Sequence, residues 1–216
     1  MTEFYRFKAD SDAWEYEGLG QTATGVKPGP YTQWWADHVM HTTAYTDASF
    51  AKDNAKAVGA VRGLWNGVLD WGCLFCDDIA AALMGEHAMA VKFLADSAAI
   101  GLKQNEADYI TDYLVRNLEM QTAHYKSLFP AFPADEWKNL FKEHITATGA
   151  RILALSKGDK AAADEAMKTI LSNRDKIAAF SNANFPVQRF GSYVAPLLFG
   201  VGFASLMGWL MWRNRA

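Results

Sequence analysis

The chain has 216 residues, half of them hydrophobic, with 21 basic and 24 acidic side chains and a net charge of −3. That length holds one sizeable domain without help from disulfides. The charges are spread along the chain with no basic block of the kind that tracks a phosphate backbone, which argues against nucleic acid as a partner.

The N-terminal stretch MTEFYRFKADSDAWEYEG is polar and mixed in charge, unlike a secretory signal. Residues 1–30 read as an irregular arm ending in Lys27-Pro28-Gly29-Pro30, residues that stop regular structure. From Tyr31 to residue 184 the signal is helical: alanine is abundant and apolar residues recur at spacings of three and four. The pattern predicts helices over 32–50, 54–83, 86–102, 106–128, 134–156 and 160–183, with Asn105 capping the fourth. Gly158 supplies a left-handed exit from the fifth and Asp159 caps the sixth. Pro130 and Pro133 separate the fourth helix from the fifth. Cys73 and Cys76 lie in DWGCLFCDD; with no second ligand pair, they read as two small buried residues on one helix. Asp77 and Asp78 read as one capping and one solvated acid.

A repeat underlies these helices. An acid precedes histidine three times, at Asp37-His38, Glu86-His87 and Glu143-His144. Fourteen residues after each histidine come turn positions, at Lys52-Asp53, Gly101 and Gly158-Asp159. Asparagine follows at Asn66, Asn117 and Asn173. Threonine stands four residues past two of the histidines, at Thr42 and Thr148, and Val91 takes that place in the middle copy. Each unit therefore predicts a helical hairpin with histidine on the first helix and asparagine on the second. The fold expected is an all-α, up-and-down bundle of about three hairpins. Within each hairpin the histidine is expected to bond the asparagine or threonine, as His38 with Asn66, His87 with Asn117 and His144 with Asn173. Such a pair fixes register.

The third unit resembles a group of bacterial helical-bundle repeat proteins whose pattern runs W, H-I or H-L, T, G-D, then N-x-x-x-I-A-x-F. Here those positions are Trp137, His144-Ile145, Thr148, Gly158-Asp159, Asn173, Ile177-Ala178 and Phe180. Trp34, His38-Val39 and Thr42 resemble the other half of the pattern. The resemblance spans residues 33 to 190 and implies the bundle fold, with no activity attached. The chain departs from the pattern in having His41-Thr42-Thr43 in place of a W-T-R triplet, and in its C-terminal apolar run.

That run, Tyr193 to Trp212, is twenty residues without a charge, closed by Arg213-Asn214-Arg215-Ala216. At helical rise it spans roughly 30 Å, the hydrocarbon thickness of a bilayer. The reading is a single-pass C-terminal membrane anchor over 193–212, joined to the bundle by residues 185–192 and followed by a basic tail at 213–216. Trp209, Trp212, Arg213 and Arg215 fit a membrane interface. The loop charges and the insertion route point in opposite directions, so orientation stays open. Pro196, Gly200, Ala204 and Gly208 recur every four residues and form a stripe on which a second helix packs closely.

No H-x-x-x-H or Glu-x-x-His pair occurs on any predicted helix, so the expectation is no metal and no cofactor. No G-x-S-x-G setting or phosphate-cradling glycine loop is present, so the expectation is no enzyme. The chain reads as a membrane-anchored structural or interaction subunit of a larger assembly, either a membrane-containing virion or an organellar or bacterial membrane complex. Its partners would be the bilayer and other protein subunits. The eight tryptophans suggest contact surfaces, with Trp14 and Tyr16 of the arm as the leading candidates. Two rival readings remain: a metal-dependent bundle enzyme using His38, His87 and His144, and a soluble ligand-binding bundle.

Overall fold

A computed structural model describes residues 30–75, 77–101 and 104–185. Among them are six α-helices and no strand: α1 (Pro30–Ala51), α2 (Asn54–Phe75), α3 (Asp78–Ala99), α4 (Gln104–Leu128), α5 (Ala134–Ser156) and α6 (Lys160–Asn184). The described residues form an all-α bundle of three hairpins, α1–α2, α3–α4 and α5–α6. None of the described helices is long and apolar enough to cross a membrane. The arm with Trp14 and Tyr16 lies outside the described residues, as does the predicted anchor with Pro196, Gly200, Ala204, Gly208, Trp209, Trp212, Arg213 and Arg215.

The three hairpin turns obey one rule. Among the described residues, positive φ occurs only at Lys52 (58°), Gly101 (97°) and Gly158 (69°), each fourteen residues past its histidine. In the first and third turns the chain reverses through paired backbone bonds: Lys52 N to Ser49 O with Asp53 N to Ala48 O, and Gly158 N to Leu155 O with Asp159 N to Ala154 O. This arrangement satisfies carbonyls that the helix end would otherwise leave bare. The next residue then starts the returning helix: Asp53 accepts from Lys56 N at 3.0 Å and Asp159 from Ala162 N at 2.9 Å. Gly101 N bonds Ala98 O in the second turn.

Between hairpins the expected boundaries move. The second helix ends at Phe75 rather than 83, because Asp77 adopts an extended backbone and its carboxylate accepts from Ala80 N at 2.7 Å, starting α3. Asp78, beside it, is exposed. Gly85 breaks nothing; it lies buried inside α3, where an added Cβ would stand 3.3 Å from Val68 of α2. Its missing side chain brings two helices together. Asn105 falls inside α4, one residue past the helix start, rather than capping it. Cys73 is exposed, contrary to the expectation of burial, while Cys76 lies outside the described residues.

The helices form a closed ring in chain order, α6 returning to α1. Tyr31 N donates to Asn182 Oδ1 at 3.3 Å, Asn182 Nδ2 to Thr32 Oγ1 at 2.8 Å and Trp35 Nε1 to Ser181 Oγ at 3.1 Å. The first helix of each hairpin also packs on the first helices of the others, so α1, α3 and α5 make an inner triad. Corresponding residues then meet in layers along the common axis. Seven residues before the histidines stand Tyr31, Ala80 and Trp137, and three before stand Trp35, Met84 and Phe141, all fully buried. Four after stand Thr42, Val91 and Thr148, and eight after stand Thr46, Ala95 and Ile152. Spacings of three and four keep one stripe of each inner helix on the axis.

The two halves of this axis differ in chemistry. On the side away from the turns, Trp35, Trp71, Phe75, Tyr125, Phe132, Trp137 and Phe185 form one aromatic cluster, with Phe185 stacked on Phe132 at 5.2 Å and Trp71 Nε1 donating to Tyr125 OH at 2.9 Å. Trp34, Trp35, Trp71 and Trp137 are thus core residues rather than a contact surface. Aromatic side chains carry the largest apolar area per residue, and the chain spends them inside.

Candidate functional site

Because the three histidines are equally far from their turns, the inner triad brings them to the same level. His38, His87 and His144 are 5%, 1% and 2% exposed and their rings form a nearly equilateral triangle, with centroids 6.1, 5.9 and 6.1 Å apart. One nitrogen from each lies within 4.8 Å of the other two. Trp34 stacks on His38 at 5.0 Å and 10°, Phe141 meets His87 edge-on at 5.0 Å, and Trp35 meets His144 edge-on at 5.8 Å.

The expected pairing of histidine with asparagine does not occur at the two hairpins where the asparagine bonds are seen. Asn117 Nδ2 donates to Leu83 O at 3.0 Å and to Glu86 Oε2 at 3.3 Å. Asn173 Nδ2 repeats both bonds, to Leu140 O at 3.0 Å and Glu143 Oε2 at 3.1 Å. Each asparagine therefore holds the acid that precedes the histidine and the carbonyl four residues before it. The first hairpin uses another bond at that level: Trp34, four residues before His38, donates Nε1 to Gly67 O at 2.7 Å, next to the half-buried Asn66. Nor does Thr42 bond a ring; its hydroxyl donates to His38 O at 2.8 Å.

This arrangement frees the imidazoles. Both nitrogens of His87 and Nδ1 of His144 are buried without a hydrogen-bond partner. A buried polar atom left so costs about 1–3 kcal/mol. Burial holds all three rings in the neutral form. His87 is pushed down to about 3 by burial and by the nearby His144, and His144 to about 4 by burial. His38 is lowered well below the usual imidazole range by burial first, then by His144, His87 and His41. Neutral imidazole is the form that binds metal.

Three nitrogens on one ion at about 2.1 Å lie about 3.5 Å from one another. A spacing of up to 4.8 Å reaches that by a shift of the order of 1 Å, within the range of side-chain adjustment. The residues thus fit a single transition-metal ion in a three-imidazole set.

On the turn side of the histidine layer threonines of α1 and α5 join the apolar Val91, Ala95 and Ile152. Between α1, α5 and α6 lies a space of about 10 Å³, the room of roughly one water, walled by the apolar Val39, Ile152 and Ile170 together with His144, Arg151 and the threonines Thr42, Thr43, Thr46 and Thr148. Arg151 pairs with Asp47 at 2.5 Å, and its Nε is buried without a partner, as is Thr148 Oγ1. Sequence reasoning marked Thr42 and Thr148 as repeat positions but missed Arg151 and Asp47. Arg151 stands seven residues past His144, so a charge on the inner stripe of α5 was the available signal.

The remaining histidines are structural. The ring of His41 is buried over Gly63, filling the space that a Cβ there would need. His124 Nε2 lies 3.0 Å from Asp77 Oδ1, tying α4 to the start of α3. Comparison with known protein families, with curated protein sequences and with solved structures found no match.

Proposed function

We propose that this chain is a metal-binding helical bundle in which His38, His87 and His144 hold one first-row transition-metal ion at the centre of the inner triad. The observation that carries this reading is the convergence of three buried imidazoles, one from each hairpin, with ligand atoms within 4.8 Å. Imidazole sets of this kind suit zinc, copper, nickel and iron. A doubly charged ion among aromatic side chains pays a desolvation cost. This reading replaces the expectation of no metal: a site assembled across three helices needs no two-ligand motif on any one of them.

The test is elemental analysis of the purified full-length chain, followed by titration with zinc or cobalt. One equivalent is expected in the wild type and none in the single substitutions His38→Ala, His87→Ala and His144→Ala. Absence of a stoichiometric ion under saturating metal, or binding unaffected by these substitutions, removes the proposal.

A second reading concerns where the bundle works. The uncharged run Tyr193–Trp212 supports a C-terminal membrane tether, and it makes the chain a membrane-anchored subunit. An outer strip of the α3–α4 hairpin supports contact with other protein subunits: Phe93, Ile100 and Tyr109 are 50%, 88% and 70% exposed. Flotation of the full chain with liposomes, lost on deleting residues 193–216, is the expected result. Equal flotation of the truncated chain rules the tether out.

A further inference from the structure

We propose that copies of this chain dock head to tail, the apolar outer ridge of the α3–α4 hairpin of one seating in the outer groove of the α5–α6 hairpin of the next. The inference rests on the reading of the α3–α4 strip as a contact surface and names what covers it. Among the described residues the exposed large hydrophobic side chains lie on α2, α3 and α4, and none on α1, α5 or α6. Ile79, Phe93 and Ile100 are spaced by multiples of seven along α3, and Tyr109, Tyr113 and Met120 by four and seven along α4. Each set therefore shares one helix face. Glu86, in the same row of α3, accepts from Asn117 Nδ2 and from the Tyr113 hydroxyl, which sets the two rows side by side. From Ile79 to Ile100 the ridge runs roughly 30 Å.

The third hairpin is built differently at the same positions. Glu143 holds there the place of Glu86, bonded by Asn173 as Glu86 is by Asn117. Counted from those anchors, Phe93, Tyr109 and Tyr113 become Ala150, Glu165 and Thr169. Ile79, Ile100 and Met120 become Glu136, Lys157 and Lys176. Where the second hairpin is filled out, the third is hollow: an open groove of about 560 Å³ is lined by Ala147, Ala150, Ala162 and Ala166 together with Lys142 and Thr169.

Two properties make a second copy the occupant. Charge is complementary, since residues 78–128 hold seven acids and four bases, whereas residues 134–184 hold eight bases and seven acids. Area fits as well: the ridge side chains offer on the order of 600 Å², most of the roughly 800 Å² per partner that a specific interface buries. A copy that uses its ridge keeps its groove open. The contact is therefore heterologous and passes on to a third copy, closing into a ring or growing into a filament.

Sedimentation velocity of the full-length chain in mild detergent is the test. The wild type is expected to shift to assemblies beyond the dimer as concentration rises. A ridge variant, Phe93→Lys with Tyr109→Lys, and a groove variant, Ala150→Glu with Ala162→Glu, each weaken self-association by about tenfold or more. An equimolar mixture of the two stops at the dimer, because one intact ridge meets one intact groove. All four positions are exposed, so the fold tolerates the changes. A wild type that stays monomeric overturns the docking, and so does a mixture that forms no dimer. Assembly lost in the ridge variant but kept in the groove variant overturns the ridge-in-groove pairing and leaves the strip a contact surface. Assembly untouched by either variant removes the strip reading as well. If a variant fails to fold, amine cross-linking of wild-type chains, half of them labelled with nitrogen-15, decides: links from Lys92 of one copy to Lys142 of another are expected, and their absence overturns the docking.

Discussion

The two ends of the inner triad share a backbone and differ in what they put on the axis. Toward the helix junctions the layers are Trp35, Met84 and Phe141, then Tyr31, Ala80 and Trp137, all fully buried and dry. Toward the turns they are Thr42, Val91 and Thr148, with a water-sized space and the half-buried Arg151 beside them. The histidines stand where these halves meet. The difference teaches a division of labour: large aromatic area supplies most of the stability at one end, and threonines with an Arg151–Asp47 pair stand at the other, on either side of the histidine layer.

The division is broken most severely at the aromatic end. Trp35→Ala is expected to lose about 3–5 kcal/mol of unfolding free energy in chemical denaturation, through cavity formation and lost apolar burial. Thr148→Val, at the other end, is expected to leave stability nearly unchanged or slightly higher, since it removes a hydroxyl with no partner. A comparable loss at both positions would refute the contrast.

The histidine layer gives the next effect. In the metal-free chain the folded imidazoles titrate below the ordinary value of 6.5, at about 3 for His87 and about 4 for His144. Depressed folded pKa values mean that the unfolded chain binds more protons, so stability is full above about pH 6.5 and falls as the pH drops toward 3. Denaturation midpoints measured between pH 8 and pH 3 should decline across that window, and the slope should flatten when His87 is replaced by Gln. Metal has the opposite sign. At a free concentration a hundred times its dissociation constant it should add about 2.7 kcal/mol at neutral pH, read as a shift in melting temperature that vanishes in His87→Ala.

The turns provide the smallest effects. Asp159→Ala removes a helix-capping carboxylate and is expected to cost about 1 kcal/mol. Lys52 holds φ 58° in the position where the other two turns have glycine. Lys52→Gly is expected to gain a few tenths of a kcal/mol, because the left-handed strain relieved exceeds the added chain entropy. Destabilisation by Lys52→Gly would show that the three turns are not equivalent.

The repeat explains both what was legible in the sequence and what was not. Equal spacing from histidine to turn identified all three hairpins, and Gly158 and Asp159 behave as their chemistry requires. The same spacing implied that three histidines share a level. It was read within each hairpin, as histidine facing asparagine, instead of between hairpins. The same three histidines stand in the sequence as the rival metal set, and that reading ranks second there because a site built from one ligand per helix leaves no paired motif on any single helix. The asparagines went to the neighbouring acids because adjacent residues on a helix face different ways: the histidine turns to the axis and the acid to the partner helix. The capping acid expected in the Asp77-Asp78 pair is Asp77, and it starts α3 earlier than the apolar spacing alone indicates. A buried glycine opposite Val68 is a packing device, visible only once α2 and α3 are side by side.

Ring closure between α6 and α1 has a consequence for orientation. Pro30 and Asn184 begin and end the bundle at the same pole, the one filled by Phe185 and its aromatic neighbours, while Lys52, Gly101 and Gly158 mark the opposite pole. With helices of 22 to 25 residues, the poles stand roughly 33 Å apart. Chain that precedes Pro30 and chain that follows Phe185 therefore meet the bundle at the aromatic pole, and the three hairpin turns face away from both junctions.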